Sequence, residues 1–77
     1  MMLDKKPIVG FKQVLRAVKD GKAEKVYLSD DCESKISNPI ERAASEMNVQ
    51  IIYIPTMKEL GEMCGIDVGA SCAVEIK

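Results

Sequence analysis

The sequence contains no histidine and no tryptophan, and its aromatic side chains are Phe11, Tyr27 and Tyr53. Without histidine, imidazole acid–base catalysis is excluded. With so few rings, the core must be aliphatic. Cysteine occurs at Cys32, Cys64 and Cys72, an odd number without C-x-x-C spacing. A zinc site usually takes four nitrogen or sulfur ligands, so no metal site is expected. There is no G-x-S-x-G elbow and no Walker A loop. No hydrophobic run approaches the roughly 20 residues of a membrane-spanning helix. The opening stretch MMLDKKPIVG carries too brief an apolar patch for a signal peptide. The expectation is a cytoplasmic protein with reduced thiols, no cofactor and no membrane partner.

What is present fits one small globular domain over residues 1–77, with 47% hydrophobic and 30% charged residues. The net charge of −1 alone argues against a nucleic-acid partner. Its distribution argues the other way. Residues 1–25 hold seven Lys and Arg against three Asp and Glu, a balance of +4. Residues 26–77 hold four against nine, a balance of −5, and the two sum to −1. A basic amino-terminal third in a neutral chain suggests one basic face, either a solvated helix surface or a polyanion footprint.

Periodicity orders the elements. Ile8-Val9 reads as a short strand ended by Gly10. Phe11, Val14, Leu15 and Val18 follow the i, i+3, i+4, i+7 pattern of an amphipathic helix, which Asp20-Gly21 stops. Val26-Tyr27-Leu28 is a buried-strand run, followed by the loop SDDCESKISN. Asn38 and Pro39 have the types preferred at the cap and first position of a helix, whose apolar side is Ile40, Ala43, Ala44 and Met47. VQIIYI, residues 49–54, is the strongest strand, and its unbroken apolar run predicts a central position covered on both faces. Thr56 and Glu59 have capping-box spacing for a third helix, Met57 to Cys64, with Gly65 at its end. Cys72 to Ile76 reads as a last strand. The order β-α-β-α-β-α-β implies an α/β sheet with helices on both faces.

The stretch GFKQVLR, residues 10–16, carries the most chemistry. On a helical wheel Lys12, Arg16 and Lys19 fall within about 60° of one another, opposite Val14 and Val18, with Gln13 at the edge of that face. A helix start favours anions and disfavours cations, so two basic residues in its first two turns are either ordinary solvated surface or half of a site for an anionic ligand. Gly10 presents backbone without a side chain in the way, and the free N–H groups there suit an anion. Gln13 both donates and accepts, and Lys12 can donate to guanine O6 and N7. A second candidate is the loop GIDVGAS, residues 65–71. Ile66 and Val68 either cover a splayed base or tuck into the core.

Catalytic candidates are poor. Asp30-Asp31 follows a strand but suits turn chemistry and helix entry. Cys64 and Cys72 lack a neighbouring base and read as small buried hydrophobes.

With these residues in view, the chain resembles the ribosomal protein L7Ae family of kink-turn RNA-binding proteins, in its short bacterial ribosomal-protein-like form. VGFKQVLRAVKDGKAEKVYLSDDC and YIPTMKELGEMCGIDVGASCAV carry the resemblance, which runs from about Ile8 to Ile76. It implies a compact three-layer α/β/α sandwich with a small mixed sheet. It also implies a monomer without catalytic activity that binds ribosomal RNA or a riboswitch. The implied target is a bent RNA with tandem sheared G·A pairs and an extruded nucleotide. The family's guanine-reading residues correspond to Gly10, Lys12 and Gln13, flanked by Phe11, with the basic residue a turn later at Arg16. Its hydrophobic loop corresponds to Ile66, Asp67, Val68, Gly69 and Ala70. Lys12-Gln13 replaces the Asn-Glu of many archaeal and eukaryotic members. Phe11 is bulky where small residues are usual, and Met57 stands where a lysine is common. Some members of the wider superfamily act through protein contacts, so the alternative is a protein–protein module using Ser29 to Glu33 with Glu59 and Glu62.

Overall fold

A computed structural model describes residues 7–77. The expectations that fall on the first six residues lie outside the described part. The elements are β1 (Ile8–Val9), α1 (Phe11–Lys19), β2 (Ala23–Ser29), α2 (Ser34–Glu46), β3 (Gln50–Ile54), α3 (Met57–Met63) and β4 (Cys72–Ile76). The predicted α/β order holds throughout.

The strands form one mixed sheet in the order β1-β4-β2-β3. β2 pairs parallel with β3, and β4 pairs antiparallel with both β1 and β2. The expectation of a central β3 is therefore corrected. It is an edge strand, and β4 and β2 hold the middle. Both faces of β3 are nevertheless covered, with Val49 and Ile51 packed toward one core cluster and Ile52 and Ile54 in the other. A two-sided apolar run reports what covers a strand's faces and says nothing of its lateral neighbours.

The sheet divides the apolar interior into two clusters. Val14 and Val18 of α1, Ile40 and Ala44 of α2, Val26 and Leu28 of β2, and Cys72 and Val74 of β4 form the larger one. Tyr27, Ile54, Leu60, Ala70 and Ala73 form the smaller one beneath α3. The alternation of Val26, Tyr27 and Leu28 between the two clusters is the period-2 geometry of a strand. Leu60 is fully buried and anchors α3. Burying a side chain of that size stabilises the fold by about 1.5–3 kcal/mol.

α2 begins five residues before Pro39, at Ser34 with Glu33 as cap, and Pro39 lies inside the helix. Cap preferences point to Asn38, but the roughly one and a half turns before Pro39 are supported by packing, with Ile36, and Cys32 just ahead of the helix, against the larger cluster. Proline's missing donor would have served the carbonyl of residue 35, which belongs to exposed Lys35 and can turn to water. All three helices close with the same pair of crossed bonds. Lys22 and Gly21 donate to the Ala17 and Val18 carbonyls. Val49 and Asn48 donate to Ala44 and Ser45, and Ile66 and Gly65 donate to Gly61 and Glu62.

Candidate nucleic-acid interface

The register places several chain reversals at one end of the sheet. Val9 lies opposite Ala73, Leu28 opposite both Cys72 and Tyr53, and Ser29 opposite Ile54. The starts of all three helices and the loop 65–71 therefore share that end. Hydrogen bonds tie them together. The Gly10 N–H donates to the Cys72 carbonyl at 3.4 Å, and the Ser29 N–H donates to the Ser71 carbonyl at 3.0 Å. The Ser29 hydroxyl donates to the same carbonyl at 3.2 Å. GFKQVLR is thus tied through Gly10 to Cys72, the residue after GIDVGAS, and GIDVGAS itself is tied through Ser71 to the end of β2.

At the α1 start, Gly10 caps the helix with φ 122° and ψ 142°, a conformation open essentially to glycine alone. A Cβ at this position would also lie 2.6 Å from the Gln13 Oε1 atom. The glycine is thus required by the backbone conformation, beyond any need for ligand approach, while the exposed Gln13 side chain folds over the cap and can swing aside. The Gly10 N–H, expected to be free, is used by Cys72. The amides of Phe11, Lys12 and Gln13 precede the first intrahelical bond, from the Val14 N–H to the Gly10 carbonyl at 2.9 Å. No side chain caps them, and the first turn carries no acid. Lys12 and Gln13 are exposed, whereas Phe11 is half-buried against the larger core cluster. Arg16 is exposed and lies 3.9 Å from Asp20, one turn along the helix. Such an exposed pair contributes little to stability.

The loop divides the alternatives left open for its two apolar residues. Ile66 packs against the smaller cluster, while Val68 is 70% exposed. Asp67 and Gly69 are exposed, and Ala70 is buried. The Ala70 side chain therefore faces the core, and its N–H donates to the Met57 carbonyl at 2.9 Å, which fixes the loop against α3. Gly61 makes this seat possible. A Cβ there would lie 2.1 Å from the Val68 carbonyl oxygen. Gly61 lies within the stretch YIPTMKELGEMCGIDVGASCAV, where the resemblance gives it no role. A glycine inside a helix is itself the signal of a close approach.

The acidic side of this end is largely engaged in structure. Asp31 accepts from the Met57 N–H at 2.9 Å and so caps α3. Thr56 accepts from the Glu59 N–H at 3.1 Å, as the capping-box spacing predicted. Ser29, at the head of the acidic segment, is buried. Burial pushes the Cys64 and Cys72 thiols up, so both stay neutral near pH 7 and neither is a ready nucleophile. The Tyr53 hydroxyl, donating to the Glu41 carboxylate, is pushed up by that bond. The Tyr27 hydroxyl is pushed up by burial and by nearby Glu75. Among the described residues no group of three or more Asp, Glu or Cys is placed to hold a metal ion.

Residues 2–77 match the Ribosomal protein L7Ae/L30e/S12e/Gadd45 family. An RNA-binding protein of Caldanaerobacter subterraneus subsp. tengcongensis is 48% identical over 71 residues, covering 92% of this chain and 87% of that relative. An RNA-binding protein of Geobacillus sp. strain WCH70 is 40% identical over 72 residues, covering 94% of this chain and 88% of its own length. Among solved structures, a 15.5 kD RNA binding protein of Giardia lamblia superposes with a TM-score of 0.86 at 26% identity. That match covers 94% of this chain but 61% of the Giardia protein.

Proposed function

Because the chain belongs to the Ribosomal protein L7Ae/L30e/S12e/Gadd45 family, we propose that it binds RNA, and that its target is a kink-turn. The observation that carries this reading is the α1 start. Its amides are uncapped, no acid offsets its positive end, and exposed Lys12 stands in its first turn. This arrangement costs the fold and favours a bound anion. Lys12 and Gln13 supply donors and an acceptor for guanine edges in the sheared pairs, and Arg16 supplies a phosphate contact. Val68, exposed at the same end of the sheet on a loop seated by Ile66 and Ala70, covers the extruded base. The role is binding without catalysis, by a monomer acting on ribosomal RNA, a riboswitch or another ribonucleoprotein.

The test is a titration into a kink-turn RNA and into a plain duplex of equal length, at two salt concentrations. Tight binding to the kink-turn, with weak and steeply salt-dependent binding to the duplex, is the expected result. Equal affinity for both would reduce the site to plain electrostatics. Binding to neither would favour the acidic face around Asp30 and Glu59 as a protein contact.

A further inference from the structure

Beyond the α1 start, two shallow depressions adjoin along the outside of the molecule. One, of about 280 Å³, is lined by Lys12, Leu15, Arg16, Lys19 and Asp20. The other, of about 270 Å³, lies between α1 and α2, where Leu15 and Lys19 face Pro39, Arg42 and Glu46. Leu15 and Lys19 line both, so the depressions adjoin along α1, and the second is the groove between the helices, reaching from Asn38 to Glu46 on α2. From Lys12 to Lys19 the two together run about 10 Å along α1, at 1.5 Å per residue.

Charge is distributed unevenly along these depressions. Lys12, Arg16, Lys19 and Arg42 line them, against Asp20 and Glu46. Asp20 caps the end of α1 and Glu46 is the last residue of α2, so both acids sit where the helices finish. Asp20 is occupied by Arg16. Among the described residues, Lys12, Lys19 and Arg42 have no acid within ion-pair distance. Leu15 forms an apolar floor, half-buried against the larger core cluster. A groove with an aliphatic floor and unpaired cations on both walls is complementary to a single sugar–phosphate strand. Facing α-helices pack 8–10 Å apart, so cations on the two walls can reach one backbone from both sides.

We infer that this α1–α2 groove is a second RNA contact, which holds the phosphate backbone of a duplex arm leaving the kink. The inference rests on the proposed kink-turn reading. It assigns the α1 start to recognition and Lys19 with Arg42 to arm length. Arg42 has no part in guanine reading, and its position on a different helix separates the two contacts.

The experiment compares two kink-turn RNAs, one with the arm extended by a full helical turn and one with it trimmed to a few base pairs. The readout is the slope of log affinity against log salt. Each neutralised phosphate contributes about 0.7–0.9 to that slope. The long arm is expected to raise the slope by about 1.4–1.8. The double variant Lys19→Ala/Arg42→Ala should abolish that difference and leave binding of the trimmed RNA unchanged. Exchange of the two cations, Lys19→Arg with Arg42→Lys, should keep it. A slope independent of arm length, or an equal loss on both RNAs in the double variant, would overturn the groove while leaving kink-turn binding intact. The same gain from a single-stranded extension would overturn the duplex-arm assignment. Failure of the unaltered protein to prefer either kink-turn over plain duplex would remove the proposed function, and the groove's role with it.

Discussion

Two helix starts lie at the same end of the sheet, and the fold treats them in opposite ways. α3 is closed. Thr56 caps it from within, Asp31 caps it from the loop after β2, and Glu59 adds an acid to its first turn. α1 is open. Its cap is a glycine with no side chain to offer, its first turn has no acid, and Lys12 stands there instead. Each missing or misplaced charge at a helix end is worth about 0.3–1 kcal/mol. Within one small domain, the closed end records what folding stability asks of a helix start. The open end marks where another demand has overridden it.

The most severe break falls at Gly61, in the body of α3 beyond its closed start. Gly61→Ala would ordinarily favour a helix by about 1 kcal/mol. Here the added methyl meets the Val68 backbone, which cannot yield as a flexible side chain would. Overpacking of this kind costs about 1–3 kcal/mol, and in a domain of this size each kcal/mol lowers Tm by roughly 4–8 °C. With backbone only 2.1 Å from the added carbon the cost falls at the upper end, so thermal melting of the variant should show a net loss of about 2 kcal/mol together with release of the 65–71 loop. An unchanged or raised Tm would mean that the loop does not sit against α3 as described.

A milder change opens α3 and so makes it resemble α1. Asp31→Ala removes one of its caps, at an expected cost of about 0.5–2 kcal/mol in chemical denaturation. RNA affinity should hold or rise, because an acid leaves the neighbourhood of the site. Loss of RNA binding with the fold retained would place the acidic loop in recognition and erase the distinction between the two ends.

Much of this contrast was legible in the sequence. The Thr56–Glu59 spacing announced the closed α3 start, and GFKQVLR announced basic residues where an anion would be favoured. Periodicity located α1 and the later part of α2, cap spacing located α3, and the stops at Gly21 and Gly65 were visible because few residues adopt the left-handed conformation they take. Contacts remote in sequence were not legible. Asp31 reads as turn chemistry and does serve a helix entry, but that of α3, 26 positions away. Insertion of β4 between β1 and β2, which moves β3 to the edge, depends on long-range pairing. The early start of α2 was hidden because local preference at Asn38 and Pro39 competes with packing by Ile36. Ile66 and Val68 carry similar side chains, and only the fold separates the one that packs from the one that is exposed.

The most direct test is Lys12→Glu, which gives the open end the charge of the closed one. Tm and kink-turn affinity should be measured on the same preparation. The account predicts movement in opposite directions, with stability raised by about 0.3–1 kcal/mol through the helix-end effect and RNA affinity reduced at least tenfold. A variant that is less stable than the parent, or one that binds kink-turn RNA as well as the parent does, would contradict it.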